Sequence, residues 1–591
     1  MVSERKSVFQ NQEDTNALNR EEAAATELQP EYERGPEKGK DRNRPRVPKT
    51  VRMIAVLLVI CLLAAGFAGY ALWTEGIGWL GGANSPGTGE DTLPETYISS
   101  TTLSVNGQQR DTYTASSSRT IHFGTDSDYT QVQGITAFRG NNYRNSASFG
   151  TIAPVRYQLQ RAWSYTTGVL KDADGNVWSG NGWTGQPVIA TWTAEQRTKM
   201  TSLAEWTGEL ESLTEVIYPS MDGRIYFFDL ETGRETREPL DLGFVFKGTA
   251  ALDPRGYPLL YIGAGADSIT GKSRVFIINL LNDTVLYTFG YYEPFSDNDY
   301  SGWDASPLVD SKTDQLLYPG ENGIVYIIHL NSFYNLDTGI VSVSPDNIVK
   351  WKYNSIRATE YTFWEGFQSS PVCWDGYLYV ADEGGNLMCL DLNTLKLLWV
   401  CDIQDDTNCT PVLAVEGNRP YLYIGTSFHP GWRAEDAATV PFWKIDALTG
   451  EKIWDASYTC YNVGSITSGV QGTAALGKNA LENYIYIPFS GLSTDGSSKL
   501  IALERKTGSL VWEYDTADAC WSSPVDVYDV NGNGYIVFAT GSGTLVLLDG
   551  KTGEVKSELK TNETFEASPA VYNSRIVIGS RNQHILAVDI T

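Results

Sequence analysis

Ser369–Asp402 reads SSPVCWDGYLYVADEGGNLMCLDLNTLKLLWVCD. It opens on two serines and a proline and runs into a short apolar strand. A second strand follows, a Gly-containing turn leads to a third, and the fourth carries Trp399. Another copy starts at Ser522: SSPVDVYDVNGNGYIVFATGSGTLVLLDGKTGEVKSEL. Self-similarity at a period of tens of residues marks a repeat architecture. Four short strands per unit, with turn residues between them, mark a β-propeller blade. The pattern recurs from Trp163 onward, with blade-opening landmarks at Pro187, Ala250, Pro307, Pro371, Pro411, Thr473, Pro524 and Pro569.

The last copy, SPAVYNSRIVIGSRNQHILAVDIT, stops at Thr591 after three strands. A lone fourth-strand candidate, Gln160-Arg-Ala-Trp163-Ser-Tyr165, precedes the first landmark. Placing it in the last blade closes the ring and leaves no open edge there. The expected fold is therefore all-β: an eight-bladed propeller of four-stranded antiparallel blades, closed by a split blade. Strands such as Gly376–Val380 and Ile324–Ile328 are rich in β-branched and aromatic residues, and too apolar to alternate. Such strands suit burial on both faces. Turns ending at Gly233, Gly450, Gly508 and Gly553 share a Thr-Gly pair, and Gly supplies the positive φ they need.

The propeller is expected to span residues 131–591. Before it, Met53–Trp73 is a 21-residue run without a charge. At 1.5 Å per residue it just crosses a hydrocarbon core of about 30 Å. Seven Lys or Arg stand in Lys38–Arg52, and none follows until Arg110. That asymmetry places residues 1–52 in the cytoplasm and the propeller outside the membrane. The 52-residue leader is too long for the n-region of a cleaved signal peptide. It is polar and nearly free of aromatics, as a disordered tail is. Residues 74–130, rich in Ser, Thr and Gly, read as a stalk, with a weak hairpin signal at Asn106-Gly107.

Residues 1–52 carry 11 of the 45 basic and 10 of the 71 acidic residues, so the rest of the chain has a net charge of −27. Such a domain repels phosphate backbones and excludes nucleic acid as a partner. Six of the seven cysteines lie between Cys373 and Cys520. An oxidising compartment permits disulfides among them. Buried free thiols in apolar strands are the equal alternative.

Few motifs carry chemistry. Gly76-Ile-Gly-Trp-Leu-Gly81 spells a dinucleotide fingerprint but follows no strand. The four histidines, His122, His329, His429 and His584, have no ligand spacing. Asp529, Asn531 and Asn533 fit the alternating oxygen donors of a calcium loop. Thr540 stands where a glutamate is expected, and the same residues also suit an Asx-rich β-turn. Three residues before the landmarks the ring reads Lys247, Asp304, Gln368, Asn408, Trp521 and Glu566. One residue earlier it is mostly aromatic: Phe246, Trp303, Phe367 and Phe565. Alternation along a strand sends one ring into blade packing and the other to the channel. The polar ring is the expected channel lining, either a ligand site or the solvated wall of a water-filled funnel, facing an open channel or a plug made by Gln131–Gly150.

The repeats, together with Gly134-Ile-Thr-Ala-Phe138-Arg139-Gly140-Asn141, resemble the pyrroloquinoline-quinone (PQQ)-like β-propeller family over residues 133–591. That family includes quinoprotein alcohol dehydrogenases and an outer-membrane assembly lipoprotein. The resemblance implies the propeller. The dehydrogenases clamp PQQ beneath a disulfide of adjacent cysteines, and this chain has no Cys-Cys pair. The expected function is a membrane-anchored, extracytoplasmic, non-enzymatic module that binds a protein or cell-envelope component, without cofactor. The alternatives are a carbohydrate-binding or carbohydrate-active propeller using Asp304, Glu566 and Trp521, and then a PQQ-dependent oxidoreductase.

Overall fold

The computed structural model describes residues 90–591, apart from 173, 183–184, 298–299, 301, 360–361, 434–435 and 464–466. The apolar run Met53–Trp73 and the tail before it lie outside the described residues. Among the described residues no helix is long and apolar enough to cross a membrane.

Eight antiparallel blades follow one another along the chain. Blade 4 is built from Val372–Trp374, Tyr377–Ala381, Asn386–Asp391 and Leu397–Asp402. Blade 7 is Val525–Tyr528, Gly534–Ala539, Thr544–Asp549 and Val555–Lys560. The middle strands are buried on both faces: Gly534–Ala539 has no exposed position. Outer strands alternate, as Leu510–Thr516 does, because only one of their faces meets a neighbouring blade.

Blade 8 takes its first three strands from the C-terminus, Ala570–Tyr572, Arg575–Gly579 and His584–Ile590. Its outer strand is Leu159–Thr166, paired with His584–Ile590 so that Trp163 faces Ala587. The ring is thus closed by backbone hydrogen bonds between the two ends of the domain.

Blade 3 is extended. Ile98–Val105 pairs with its outer strand Asn347–Ser355, and Gln108–Arg110 adds a sixth strand. The turn between them is Asn106-Gly107, both at positive φ (50° and 77°), as a two-residue hairpin requires. The described part of the stretch expected as a stalk therefore packs on the propeller. Its apolar residues explain this: Ile98, Leu103, Ile121, Phe123 and Tyr129 are buried with Leu308, Val325 and Leu378. The six cysteines from Cys373 to Cys520 are buried free thiols.

Candidate functional site

The blade openings are laced together. The hydroxyl near each landmark accepts the N–H of the preceding blade: Ser306 N–H to Ser370 Oγ (2.9 Å), Ser370 to Thr410 (3.0 Å), Thr410 to Thr473 (3.0 Å), Thr473 to Ser523 (2.9 Å) and Ser523 to Ser568 (3.1 Å). The Ser568 N–H closes the circuit on the Gly185 carbonyl, 2.8 Å away. This gives the Ser/Thr-rich starts of blades 4 to 8 their role. A buried N–H needs an acceptor, and a short hydroxyl side chain on the next blade supplies it.

Inside that ring the axis is filled by the chain itself. Residues 134–149 make one circuit of the inner strands. Gly134-Ile135 pairs with blade 1, and the Thr136 carbonyl accepts from Leu252 of blade 2 (2.7 Å). The Phe138 N–H reaches Ser306 Oγ of blade 3 (3.1 Å). The Asn142 and Tyr143 carbonyls accept from Cys373 (3.0 Å) and Leu413 (2.9 Å) of blades 4 and 5. Asn145 Oδ1 accepts from Lys478 of blade 6 (3.1 Å), and Ser148 Oγ donates to the Asp526 carbonyl of blade 7 (2.8 Å). Ser148-Phe149 then runs parallel to the inner strand of blade 8.

Two arginines fasten this plug. Arg139 and Arg144 are 0% exposed, and both adopt positive φ (51° and 58°). Arg144 donates to the carbonyls of Pro371 (2.9 Å), Phe138 (3.0 Å) and Ser306 (2.6 Å). Arg139 donates to those of Pro524 (2.9 Å) and Arg144 (3.2 Å). Burial draws both guanidinium pKa values down to about 10, which leaves them charged at neutral pH. Their positive charge is spread over backbone carbonyls from opposite sides of the ring, tying blades 3, 4 and 7 to one segment.

Above the plug, Phe138 forms the floor of a cavity of about 20 Å³, room for one water-sized group. Lys247, Asp304, Gln368 and Asn408 line it. The structure thus brings together four of the six polar-ring residues. The preceding residues Phe246, Trp303, Phe367 and Phe565 are buried in blade packing. Lys247 Nζ lies 3.4 Å from Asp304 Oδ2 and 5.5 Å from the Trp178 ring centroid. Asn408 Nδ2 donates to Gln471 Oε1 (2.9 Å). Trp521 and Glu566 are buried but do not line this cavity, and Glu566 pairs with Arg581 of its own blade (3.5 Å).

Two glutamates that the polar-ring spacing does not reach, Glu321 and Glu383, belong to the same neighbourhood. Each sits in the turn after its blade's second strand. Burial and nearby Asp304 push the Glu321 carboxyl up to about 8, and burial with Glu321 and Asp406 pushes Glu383 well above the usual range. The sequence signal was an acidic residue before glycine or asparagine in two successive copies, Gly320-Glu-Asn-Gly323 and Asp382-Glu-Gly-Gly385.

At the calcium-loop pattern, Asp529 Oδ1 accepts the N–H groups of Asn531 (2.8 Å) and Asn533 (2.9 Å). Its Oδ2 accepts from Asn533 Nδ2 (2.9 Å) and the Tyr157 hydroxyl (2.9 Å). Asp172 builds the same turn with Asp174 and Asn176. Both carboxylates collect donors, the arrangement of an Asx turn.

Residues 338–533 and 520–591 match the family described as outer membrane protein assembly factor BamB. Among solved structures, a quinohemoprotein alcohol dehydrogenase from Comamonas testosteroni is 13% identical, covering 78% of this chain and 80% of its own (TM-score 0.48). BamB from Moraxella catarrhalis is 14% identical, covering 73% and 99% (TM-score 0.44). A β-alanine-activating enzyme from Danio rerio is 29% identical over 92 residues, which are 15% of this chain and 8% of that protein.

Proposed function

We propose that this chain, whose repeats are those of the PQQ-like β-propeller family, is a non-enzymatic binding module. In this reading Met53–Trp73 anchors it in the membrane, residues 1–52 are cytoplasmic, and the propeller stands outside. It offers a rigid surface to a protein or polymer of the cell envelope. The observation that carries the reading is the plug. The axis is occupied by residues 134–149, held to all eight blades and pinned by Arg139 and Arg144. A ring braced in this way is a stiff platform, and stiffness lowers the entropic cost of binding a partner on its faces.

The quinone does not fit the residues present. A cofactor bearing several carboxylates would meet Asp304 in the cavity lining with Glu321 and Glu383 close to it, and among the described lining residues Lys247 is the cation, already paired with Asp304. The cysteines are single, buried thiols within blade strands and their lead-ins, so no disulfide of adjacent cysteines can cover a ring. A glycosidase reading has little support, because Asp304 and Glu566 each face their own cation.

The test is cross-linking of the membrane-bound protein in its own cells, with identification of what is captured. A specific, saturable envelope partner supports the reading. PQQ binding at micromolar concentration, with dye reduction by the purified protein, overturns it.

A further inference from the structure

A larger opening lies at the other end of the inner strands. The axial cavity is lined by residues that precede the first strands of blades 4 and 5. A cleft of about 760 Å³ is lined by residues at the far ends of those strands, Trp374 in blade 4 and Val415 and Glu416 in blade 5. Blade 6 adds Gly477, Lys478 and Asn479 from the connection after its first strand, and the plug adds Tyr143 and Asn145. Clefts of this size enclose organic ligands rather than single waters or ions.

Ion pairs brace its walls. Arg505 donates to Glu416 Oε1 of blade 5 (3.0 Å) and to the carbonyls of Gly477 (3.3 Å) and Glu482 (3.2 Å) in blade 6. Glu416 also accepts from Lys444 (2.6 Å). Asp126 accepts from Asn145 Nδ2 (2.9 Å) and lies 3.8 Å from Lys478 Nζ. The charges in the lining balance: Asp126, Glu416 and Glu482 stand against Lys478, Arg505 and Lys506. The chain beyond residue 52 carries a net charge of −27, so this neutrality is local.

Two aromatic side chains of the lining are not used by the fold in full. Trp374 is half-buried and stacks on Tyr377 across the Asp375-Gly376 turn (5.8 Å between centroids, 12° between planes), which fixes the plane of the indole. Tyr143 is 5% exposed. Among the described residues neither the Trp374 indole N–H nor the Tyr143 hydroxyl has a hydrogen-bond partner. Burial, with Asp126, Asp128 and Asp375 nearby, raises the Tyr143 pKa, so this hydroxyl keeps its proton and remains a donor.

We propose that this cleft binds an uncharged stretch of a glycan chain, which names the polymer of the binding-module reading and rests on that reading. A sugar ring has an apolar C–H face that can lie on a fixed indole. Its hydroxyls donate and accept at once, which suits a lining of amides, paired charges and a free phenol. A polyanion or polycation gains little from a lining whose charges already balance. An extended peptide binds by adding to a strand edge. At blades 4 and 5 the plug takes that edge, because the Cys373 and Leu413 N–H groups donate to the Asn142 and Tyr143 carbonyls. Asp126 and Glu416 are each paired with a cation, so the site holds the chain and does not cut it.

The experiment is calorimetric titration of the full chain, in micelles of a sugar-free detergent, with cellotetraose, maltotetraose and N-acetylchitotetraose. Acetyl-tetra-alanine amide and tetragalacturonate are the controls. The expected result is saturable binding of at least one neutral oligosaccharide at millimolar concentration or below, and of neither control. Trp374→Ala should weaken it at least about tenfold. Tyr143→Phe removes only the free hydroxyl and should weaken it about fivefold. Failure of all three neutral oligosaccharides to bind the wild-type protein overturns the proposal, whether or not either variant folds. So does tighter binding of the peptide or the polyuronate, or a folded Trp374→Ala protein that binds as wild type. An envelope protein captured by cross-linking, with no oligosaccharide bound, removes this site and leaves the binding module standing. PQQ-dependent dye reduction removes the module itself.

Discussion

The indole of Trp163 lies flat on Gly233, and its Nε1 donates to the Leu230 carbonyl at 3.0 Å. Trp163 belongs to the outer strand of blade 8 and Gly233 to the last turn of blade 1. The same pairing recurs between neighbouring blades: Trp399 on Gly450, Trp454 on Gly508 and Trp512 on Gly553, each with an indole N–H to a turn carbonyl. The four glycines sit at φ between 68° and 76°. The glycine serves two ends at once, a left-handed backbone and a bare surface for the indole.

Gly508→Ala should therefore destabilise the domain on both counts. The left-handed backbone costs about 1–2 kcal/mol with a Cβ, and that Cβ would sit 2.8 Å from Trp454. Trp163→Ala should cost about 3 kcal/mol and open the seam where the ends meet. Urea unfolding of both variants checks this. Midpoints unchanged from wild type would show that the pairing is incidental.

Arg144→Lys keeps the charge but cannot reproduce a planar fork aimed at three carbonyls. Hydrogen bonds from a charged donor are worth about 1.5–3 kcal/mol each. The expected loss is at least about 3 kcal/mol, with blades 3 and 4 loosened together because Ser306 and Pro371 share this donor. Hydrogen exchange at the inner strands of those blades is the measurement; protection unchanged from wild type would contradict it.

Much of this architecture was legible in the sequence because it is written locally and repeated. Pro371 and Pro524 phase the blades, and the missing strand after Ile590 points to Trp163. The period-2 alternation that separates Trp303 from Asp304 placed one in packing and the other at the cavity. The plug was only half legible. Phe138-Arg139-Gly140-Asn141 stood out, but the carbonyls that Arg144 gathers come from residues 162 and 227 positions away. Glu321 and Glu383 were hidden for a similar reason: a glutamate in a Gly-rich turn is ordinarily solvated, and only ring closure turns these two inward. The hairpin at Asn106-Gly107 was signalled by its turn residues, but its docking on blade 3 was not, because the surrounding composition is that of a linker and the pairing with Asn347–Ser355 is a contact distant in sequence.

Ser523→Ala tests the hydroxyl lacing. It removes the acceptor of the Thr473 N–H and of the Ser568 hydroxyl, both buried. An orphaned buried donor costs about 1–3 kcal/mol. Ser542→Ala, exposed in the turn after the second strand of the same blade, should cost less than 0.5 kcal/mol by comparison. Equal effects of the two in thermal melts would deny the lacing a structural role.

Asp529→Ala separates a turn from a metal loop. The carboxylate gathers five donors, so the substitution should lower stability by about 1–2 kcal/mol, and by the same amount in calcium and in EDTA. A wild-type melting temperature that rises with micromolar calcium and falls to the Asp529→Ala value in EDTA would restore the metal.

The buried acids set the pH profile. Glu321 is pushed up to about 8 by burial and Asp304, Glu365 to about 7 by burial, and Asp382 to about 6 by burial. In the unfolded chain these groups titrate near pH 4. Between about pH 4.5 and 8 the folded protein therefore holds protons that the unfolded chain has released. Unfolding stability must fall as pH rises through that window. Asp172, Glu416 and Asp529 are shifted the other way, chiefly by hydrogen bonds that outweigh their desolvation, so they withdraw stability only below about pH 4.5. Maximum stability is expected near pH 5, which is acidic for a domain this rich in carboxylates. Glu321→Gln removes the largest displacement of the three, at about 1.4 kcal/mol per pH unit. Its profile should be visibly flatter between pH 6 and 8, with the variant as stable as wild type at pH 5 and more stable at pH 8. Melting temperatures of both proteins across pH 4–9 in sodium buffers decide it. A wild-type profile that rises from pH 5 to 8, or a variant curve parallel to it, would mean that Glu321 is ionised throughout and is neutralised by a cation already in place.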